Sequence, residues 1–242
     1  MTRLTGIHHL AIQTADMKGQ LEFFCDVLGA RLVGLFWMHG VEGAWHAFCH
    51  LDDHCSFSLV ELPANREIEP IPGVTHSGTG DAPSAPGTMQ HLAFQVETLD
   101  DLLAMRDRIR SRGVNVMGPL DHGMCHSMYF AGPEGLTLEI ATSDTAIDPD
   151  VWVDLEVAEL AGLSADDLAR FRDPDEFVPG DQPIAQPPID PAKPHMAYPP
   201  DQYERMIMAP DHLVTEHGSH PDPPSESVAA RAARAADTPA AS

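Results

Sequence analysis

The chain has 242 residues, with 14 Lys and Arg against 37 Asp and Glu, a formal net charge of −23. So acidic a surface repels phosphate backbones and anionic headgroups, which excludes nucleic acid and membrane surfaces as partners. No apolar run approaches the ~20 residues of a membrane span, and Met1-Thr2-Arg3-Leu4-Thr5 does not read as a secretory leader, so a soluble cytoplasmic protein is expected.

In chain order, residues 6–13 alternate as a strand. Asp16 caps a helix over about residues 17–28, where Leu21, Phe24 and Leu28 form an apolar stripe and Gly29 the stop. Residues 31–37, 44–51 and 55–62 read as three strands, separated by a turn at Gly40 and Gly43 and a tighter one at Asp52-Asp53. Residues 63–88 are rich in Pro, Gly, Ser and Thr and read as a linker or long loop between modules. Residues 89–96 then form a strand, 98–112 a helix ended by Gly113, and 114–117, 125–131 and 136–141 three further strands. The order βαβββ therefore occurs twice.

The two copies share more than their order. His9-Leu10-Ala11-Ile12-Gln13 opens the first and His91-Leu92-Ala93-Phe94-Gln95 the second. Each copy closes on a strand carrying a carboxylate, Glu61 in Ser58-Leu59-Val60-Glu61-Leu62 and Glu139 in Thr137-Leu138-Glu139-Ile140. Imidazole and carboxylate donors placed twice by one geometry point to a metal site. A carboxylate closing an apolar strand also needs a partner to offset its burial. Cys25, Cys49, Cys55 and Cys125 form no C-x-x-C pair and read as buried thiols in a reducing compartment. His46 and His50 receive no role, and Trp37, Trp45 and Phe48 read as core or cavity lining.

After residue 142 the character changes. Residues 151–171 look helical, with Ser164 as an N-cap. Residues 173–200 are dense in Pro and should run extended, and residues 201–217 suit one more helix. From about Ser219 the composition is that of a disordered tail. The expected division is a first module over 1–64, a linker over 65–88, a second module over 89–142, a helical and Pro-rich extension over 143–218, and a tail over 219–242. The expected class is α+β.

Gly6-Ile7-His8-His9-Leu10-Ala11-Ile12, Phe23-Phe24-Cys25-Asp26-Val27-Leu28-Gly29 and Gly132-Pro133-Glu134-Gly135-Leu136-Thr137-Leu138-Glu139 together resemble the vicinal oxygen chelate superfamily. That group includes glyoxalase I, extradiol dioxygenases and the fosfomycin and bleomycin resistance proteins. The resemblance covers residues 5–142. It implies two modules forming a cupped mixed sheet with a divalent metal inside, held by His9, His91 and Glu139, with Glu61 as a fourth donor in the glyoxalase pattern. Asn65 resembles a glutathione-contacting Asn of that pattern, whereas Gln13 stands where an Arg is usual. The extradiol pattern is resembled by Tyr129, ten residues before Glu139, with His122, Pro133 and Gly135; Leu120 and Gly132 depart from it. His54 is the nearest histidine to the position of that group's base. The resemblance favours an extradiol-type, Fe(II)-dependent dioxygenase acting on an aromatic vicinal diol, a small-molecule substrate. A glyoxalase-type lyase or isomerase using Zn, Ni or Mn is the alternative, and a non-catalytic resistance protein the third reading. A homodimer is expected, with residues 173–217 packed across or beside its interface.

Overall fold

The computed structural model describes residues 4–221, which form two compact units. The expectation for residues 222–242 lies outside the described residues. The larger unit, residues 6–164, contains two four-stranded sheets.

In the first sheet the strands are β1 (His9–Thr14), β2 (Arg31–Trp37), β3 (Trp45–His50) and β4 (Ser56–Glu61), in the order β1-β4-β3-β2. The second contains β5 (Leu92–Gln95), β6 (Met117–Asp121), β7 (His126–Ala131) and β8 (Thr137–Thr142), in the order β5-β8-β7-β6. In each, the first strand lies parallel to the last and the other pairs are antiparallel. The doubled βαβββ reading is thus the fold, and its class is α+β. Strand β6 begins later than expected. Val116 is buried in the core instead of pairing in the sheet, and the ladder to β7 starts at Met117. At Gly118, with φ +112, an added Cβ would stand 2.8 Å from the Ser127 carbonyl oxygen, so the close approach of β6 to β7 requires glycine.

The helices follow from their caps and stripes. Helix α1 (Met17–Leu21) starts where the Asp16 carboxylate accepts the Gly19 N–H at 2.9 Å, and it continues as a π-helical stretch through Glu22–Leu28 to left-handed Gly29. Helix α2 (Leu99–Ser111) opens on a reciprocal capping box between Thr98 and Asp101. Both helices cover the same side of their sheets. Phe24, Phe57, Leu59, Leu102, Ile109, Met128, Leu138 and Ile140 are almost wholly buried there in one core that runs through both modules. The Phe24 ring lies 4.3 Å from that of Phe57 and 6.2 Å from that of Phe94, centroid to centroid. Each such side chain contributes about 1.5–3 kcal/mol by leaving water.

Polar contacts reinforce this module-to-module packing. Arg108 on α2 donates to the Val27 and Asp26 carbonyls at 2.7 and 3.1 Å. Glu134, in the β7–β8 turn with φ +54, accepts from the Thr14 hydroxyl, the Ala15 N–H and the Gln20 amide at 2.7, 2.8 and 2.6 Å. The modules are therefore joined through their helical layers. Each sheet keeps one face turned away from the helices, here called the open face. Strand alternation puts His9, Ala11 and Gln13 on that face of the first sheet, because Ile12 lies in the core. Among the described residues, β1 and β5 are edge strands.

The loop over residues 63–88 begins with a 3-10 turn, Pro63–Glu67, and holds an isolated bridge between Pro72 and His76. Ser77 within it is buried and donates to the Gln90 carbonyl at 2.7 Å. Beyond β8 come α3 (Pro149–Trp152) and α4 (Leu155–Leu160), the latter capped by Asp154. The second unit takes in residues 165–221, with α5 (Ala165–Arg172), α6 (Pro200–Ile207) and α7 (Asp211–Gly218). Residues 173–199 between them carry no helix or strand, as their proline density requires.

Candidate metal centre

Register decides which side chains share a face. Strand β5 is paired so that Ala93 lies beside Glu139, which places Glu139 on the open face, next to His91 and out of phase with core residues Leu138 and Ile140. His91 Nε2 stands 2.9 Å from Glu139 Oε2. The other ring nitrogen, Nδ1, is bonded to the side-chain oxygen of Gln90. That amide is oriented by its own nitrogen, which donates to the Thr79 carbonyl at 3.2 Å. An amide oxygen only accepts, so Nδ1 is the donor in that bond and Nε2 is the nitrogen turned towards the carboxylate. A ring nitrogen and a carboxylate oxygen at that distance share a proton or a cation between them. Two cis ligands each ~2.1 Å from one ion stand roughly 3 Å apart, so the couple fits a divalent metal by donor type and spacing.

Tyr129 lies directly across from Glu139 in the β7–β8 ladder, on the same face. Its hydroxyl is 3.1 Å from His122 Nε2, and its ring is 6.4 Å from the His91 ring. Burial pushes the Tyr129 phenol up, and the charge of Glu139 beside it adds to the effect. The phenol is therefore a hydrogen-bond donor at neutral pH. His91, Glu139, Tyr129 and His122 form one continuous polar group in the second module.

The first module places its residues differently. His9 is exposed on the open face of β1, its Nδ1 2.9 Å from His8 Nδ1 and its ring 5.4 Å from Phe48. Among the described residues no group of three or more His, Cys, Asp or Glu side chains is placed to hold a metal ion. His91 and Glu139 thus stand as a couple, and the recorded ring and hydrogen-bond contacts of His9 are with residues of its own module. His54 sits exposed in the β3–β4 turn, where its N–H donates to Asp52 Oδ1 at 2.6 Å. It belongs to that turn and not to the open face.

Glu61 lies on the opposite face of its strand from the one shared with His9. It alternates in phase with the core residues Phe57 and Leu59, accepts the Met17 N–H at the start of α1 at 3.2 Å, and pairs with Arg66 Nη2 at 2.6 Å. The position that corresponds to Glu139 is Ser58, which pairs with Ala11 as Glu139 pairs with Ala93. Ser58 is fully buried and donates to the Leu10 carbonyl at 3.4 Å. The phase of the polar residues carried this signal. Ser56-Phe57-Ser58-Leu59 alternates as Thr137-Leu138-Glu139-Ile140 does, and Glu61 falls on the other beat. Counting residues from histidine to glutamate missed it. The sequence reading also missed Gln90, which sits next to His91 and fixes its tautomer.

A cavity of about 620 Å³ lies where the end of β1 meets the loop after β4. It is lined by Gln13, Asn65, Arg66, Glu67, Glu69 and Glu134 among others, with Arg66 the one Lys or Arg in its lining. That cation is engaged by Glu61, and the Asn65 amide donates to Gln13 Oε1 and the Thr14 carbonyl, both at 2.8 Å.

Paired βαβββ modules, each a mixed four-stranded sheet with one open face, are the architecture of a class of small-molecule enzymes and binders, which typically use a divalent metal. The chain belongs to that class by sequence as well: residues 6–140 match the family described as the glyoxalase/bleomycin resistance protein/dioxygenase superfamily. A biphenyl-2,3-diol 1,2-dioxygenase of Rhodococcus globerulus is 28% identical over 143 residues, covering 58% of this chain and 64% of the relative, so the match spans somewhat less than two thirds of that protein. A lactoylglutathione lyase of Pseudomonas aeruginosa is 28% identical over 55% of this chain and 80% of its own. Among solved structures, a glyoxylase/bleomycin resistance protein/dioxygenase domain from Frankia sp. EAN1pec is 16% identical with a TM-score of 0.47, covering 58% of this chain and 99% of that one.

Proposed function

We propose that the chain is a metal-dependent dioxygenase of extradiol type, which opens the ring of an aromatic vicinal diol. The observation that carries this reading is the Tyr129–His122 hydrogen bond set beside the His91–Glu139 couple on one open face. His9, His91 and Glu139 would hold a divalent ion, with Fe(II) favoured over Mn, Zn or Ni. When bound, Fe(II) supplies Lewis acidity towards the diol oxygens and redox chemistry towards dioxygen. Two imidazoles and one carboxylate leave three positions of an octahedral ion exchangeable, enough for a chelating diol and dioxygen together. Gln90 holds His91 in the ligating tautomer. Tyr129 offers its hydroxyl proton to a substrate oxygen, and His122 orients that hydroxyl.

The reading implies a homodimer. Within one protomer the helix-to-helix packing of the modules accompanies a site in which His9 does not join His91 and Glu139. Setting the β1 edge of one protomer beside the β5 edge of its partner would bring His9 of the first to His91 and Glu139 of the second. A C2 operation makes two such sites at once.

The alternative, a glyoxalase-type lyase, draws support from the likeness to lactoylglutathione lyase. It asks for Glu61 as a fourth ligand and for cationic and amide contacts to glutathione. Glu61 is instead bonded to Arg66 and the Met17 N–H, and Asn65 to Gln13. The deciding experiment offers iron-loaded protein a panel of catechols beside the hemithioacetal of methylglyoxal and glutathione. Ring-opened product from a catechol supports the dioxygenase; turnover of the hemithioacetal alone overturns it.

A further inference from the structure

His46 lies on β3, on the open face, with Val60 and Phe48 as neighbours. Its ring centroid is 4.5 Å from that of Phe48 and 5.7 Å from that of Phe36. Phe36 and Phe48 are themselves stacked, 5° from parallel at 6.1 Å, and Phe48 also meets the His9 ring. The arrangement is an aromatic wall beside His9 with one polar edge in it. His46 Nε2 is shut off from water and has no hydrogen-bond partner among the described residues. A buried polar atom without a partner is costly, and a native protein keeps one where something else supplies the bond. The core of this module lies on the other side of the sheet, so core packing does not account for it. Burial, and secondarily the nearby His9, hold the imidazole pKa below its ordinary value. A neutral imidazole has one accepting nitrogen, which can take an O–H. On β4 the place facing Ala11, two residues along the same face from His9, is taken by Ser58, already bonded to a backbone carbonyl. His46 is thus a polar side chain of this wall whose buried nitrogen lacks a partner among the described residues.

We propose that His46 is a substrate-binding residue, which accepts a hydrogen bond from a hydroxyl of an aromatic ligand seated against Phe36 and Phe48. The contact requires the imidazole to rotate about χ2, a change confined to the side chain. The inference rests on the aromatic-diol reading and adds to it the first-module contact that selects the substrate.

The test is calorimetric titration of iron-loaded protein with catechol under argon, with metal content measured alongside. His46→Phe keeps the aromatic wall and removes the acceptor; it should weaken catechol about tenfold, the loss of roughly one hydrogen bond to a buried partner, with metal unchanged. His46→Gln restores an acceptor and should bind within about threefold of wild type. In zinc-loaded wild type, catechol should shift the His46 Nε2 nitrogen resonance. Wild-type affinity in His46→Phe, equal losses in both variants, or an unmoved resonance overturns the assignment and leaves the diol reading standing. Metal-loaded wild type that binds no catechol overturns both.

Discussion

Replacing Glu61 with Gln removes a negative charge whose side chain is only 4% exposed and which faces the start of α1. The Met17 N–H, 3.2 Å away, keeps an acceptor in the amide oxygen but trades a charge-assisted bond for a neutral one, a loss of about 1 kcal/mol. The favourable interaction of the carboxylate with the N-terminal end of the helix, worth about 0.3–1 kcal/mol, disappears as well. Arg66 loses its ion pair, but its side chain is 64% exposed and water replaces most of that contact, so the pair adds a few tenths at most. The total is about 1–2 kcal/mol. For a unit of this size each kcal/mol lowers the melting temperature by roughly 2–4 °C. Thermal melts, metal analysis and activity assays on one preparation then separate structure from chemistry. A lowered melting temperature with full metal and near-full activity is expected. Loss of the metal from Glu61→Gln that remains folded would show that the carboxylate reaches the ion, and the assignment of β4 register to function would be wrong.

Tyr129→Phe should lower turnover by ~10²-fold at unchanged metal content, the scale of removing one donor from an oxygen that gains charge in the transition state; steady-state kinetics with metal analysis checks this. His9→Ala and His91→Ala should each abolish stoichiometric metal binding. Mixed and allowed to exchange subunits, the two inactive variants should recover about a quarter of the wild-type metal, because half of the dimers are mixed and each of those rebuilds one of two shared sites; no recovery after confirmed exchange contradicts the shared site. The Cys49 thiol, pushed up to about 12 by burial and by the adjacent Cys25, should stay protonated and resist iodoacetamide at pH 8 in native protein, as mass spectrometry of labelled peptides can report.

The fold was legible because hydrophobic phase and punctuation recur. His9-Leu10-Ala11 and His91-Leu92-Ala93 set the same alternation, and Gly29 and Gly113 stop the two helices at matching places. Glu139 and Tyr129 could be located together because a fixed spacing in a β-hairpin is a fixed geometry. Glu61 could not be located by distance alone: the first copy differs in loop length, and a shift of one residue moves a side chain to the other face of the sheet. Strand phase, read against Phe57 and Leu59, carried the answer. The assembly of the site was not in the sequence at all. It depends on whether the modules pack through their helices or their strand edges, and Arg108 on α2 and Glu134 in the β7–β8 turn, which join the two modules, carry no periodicity to mark them.

The measurement that bears most directly on the function is oxygen uptake by iron-loaded protein given a catechol in a closed electrode chamber, with product formation followed in the same vessel. One dioxygen should be consumed for each ring opened, and removal of oxygen should stop the reaction. Turnover that continues at full rate under strict anaerobiosis would contradict the dioxygenase account outright.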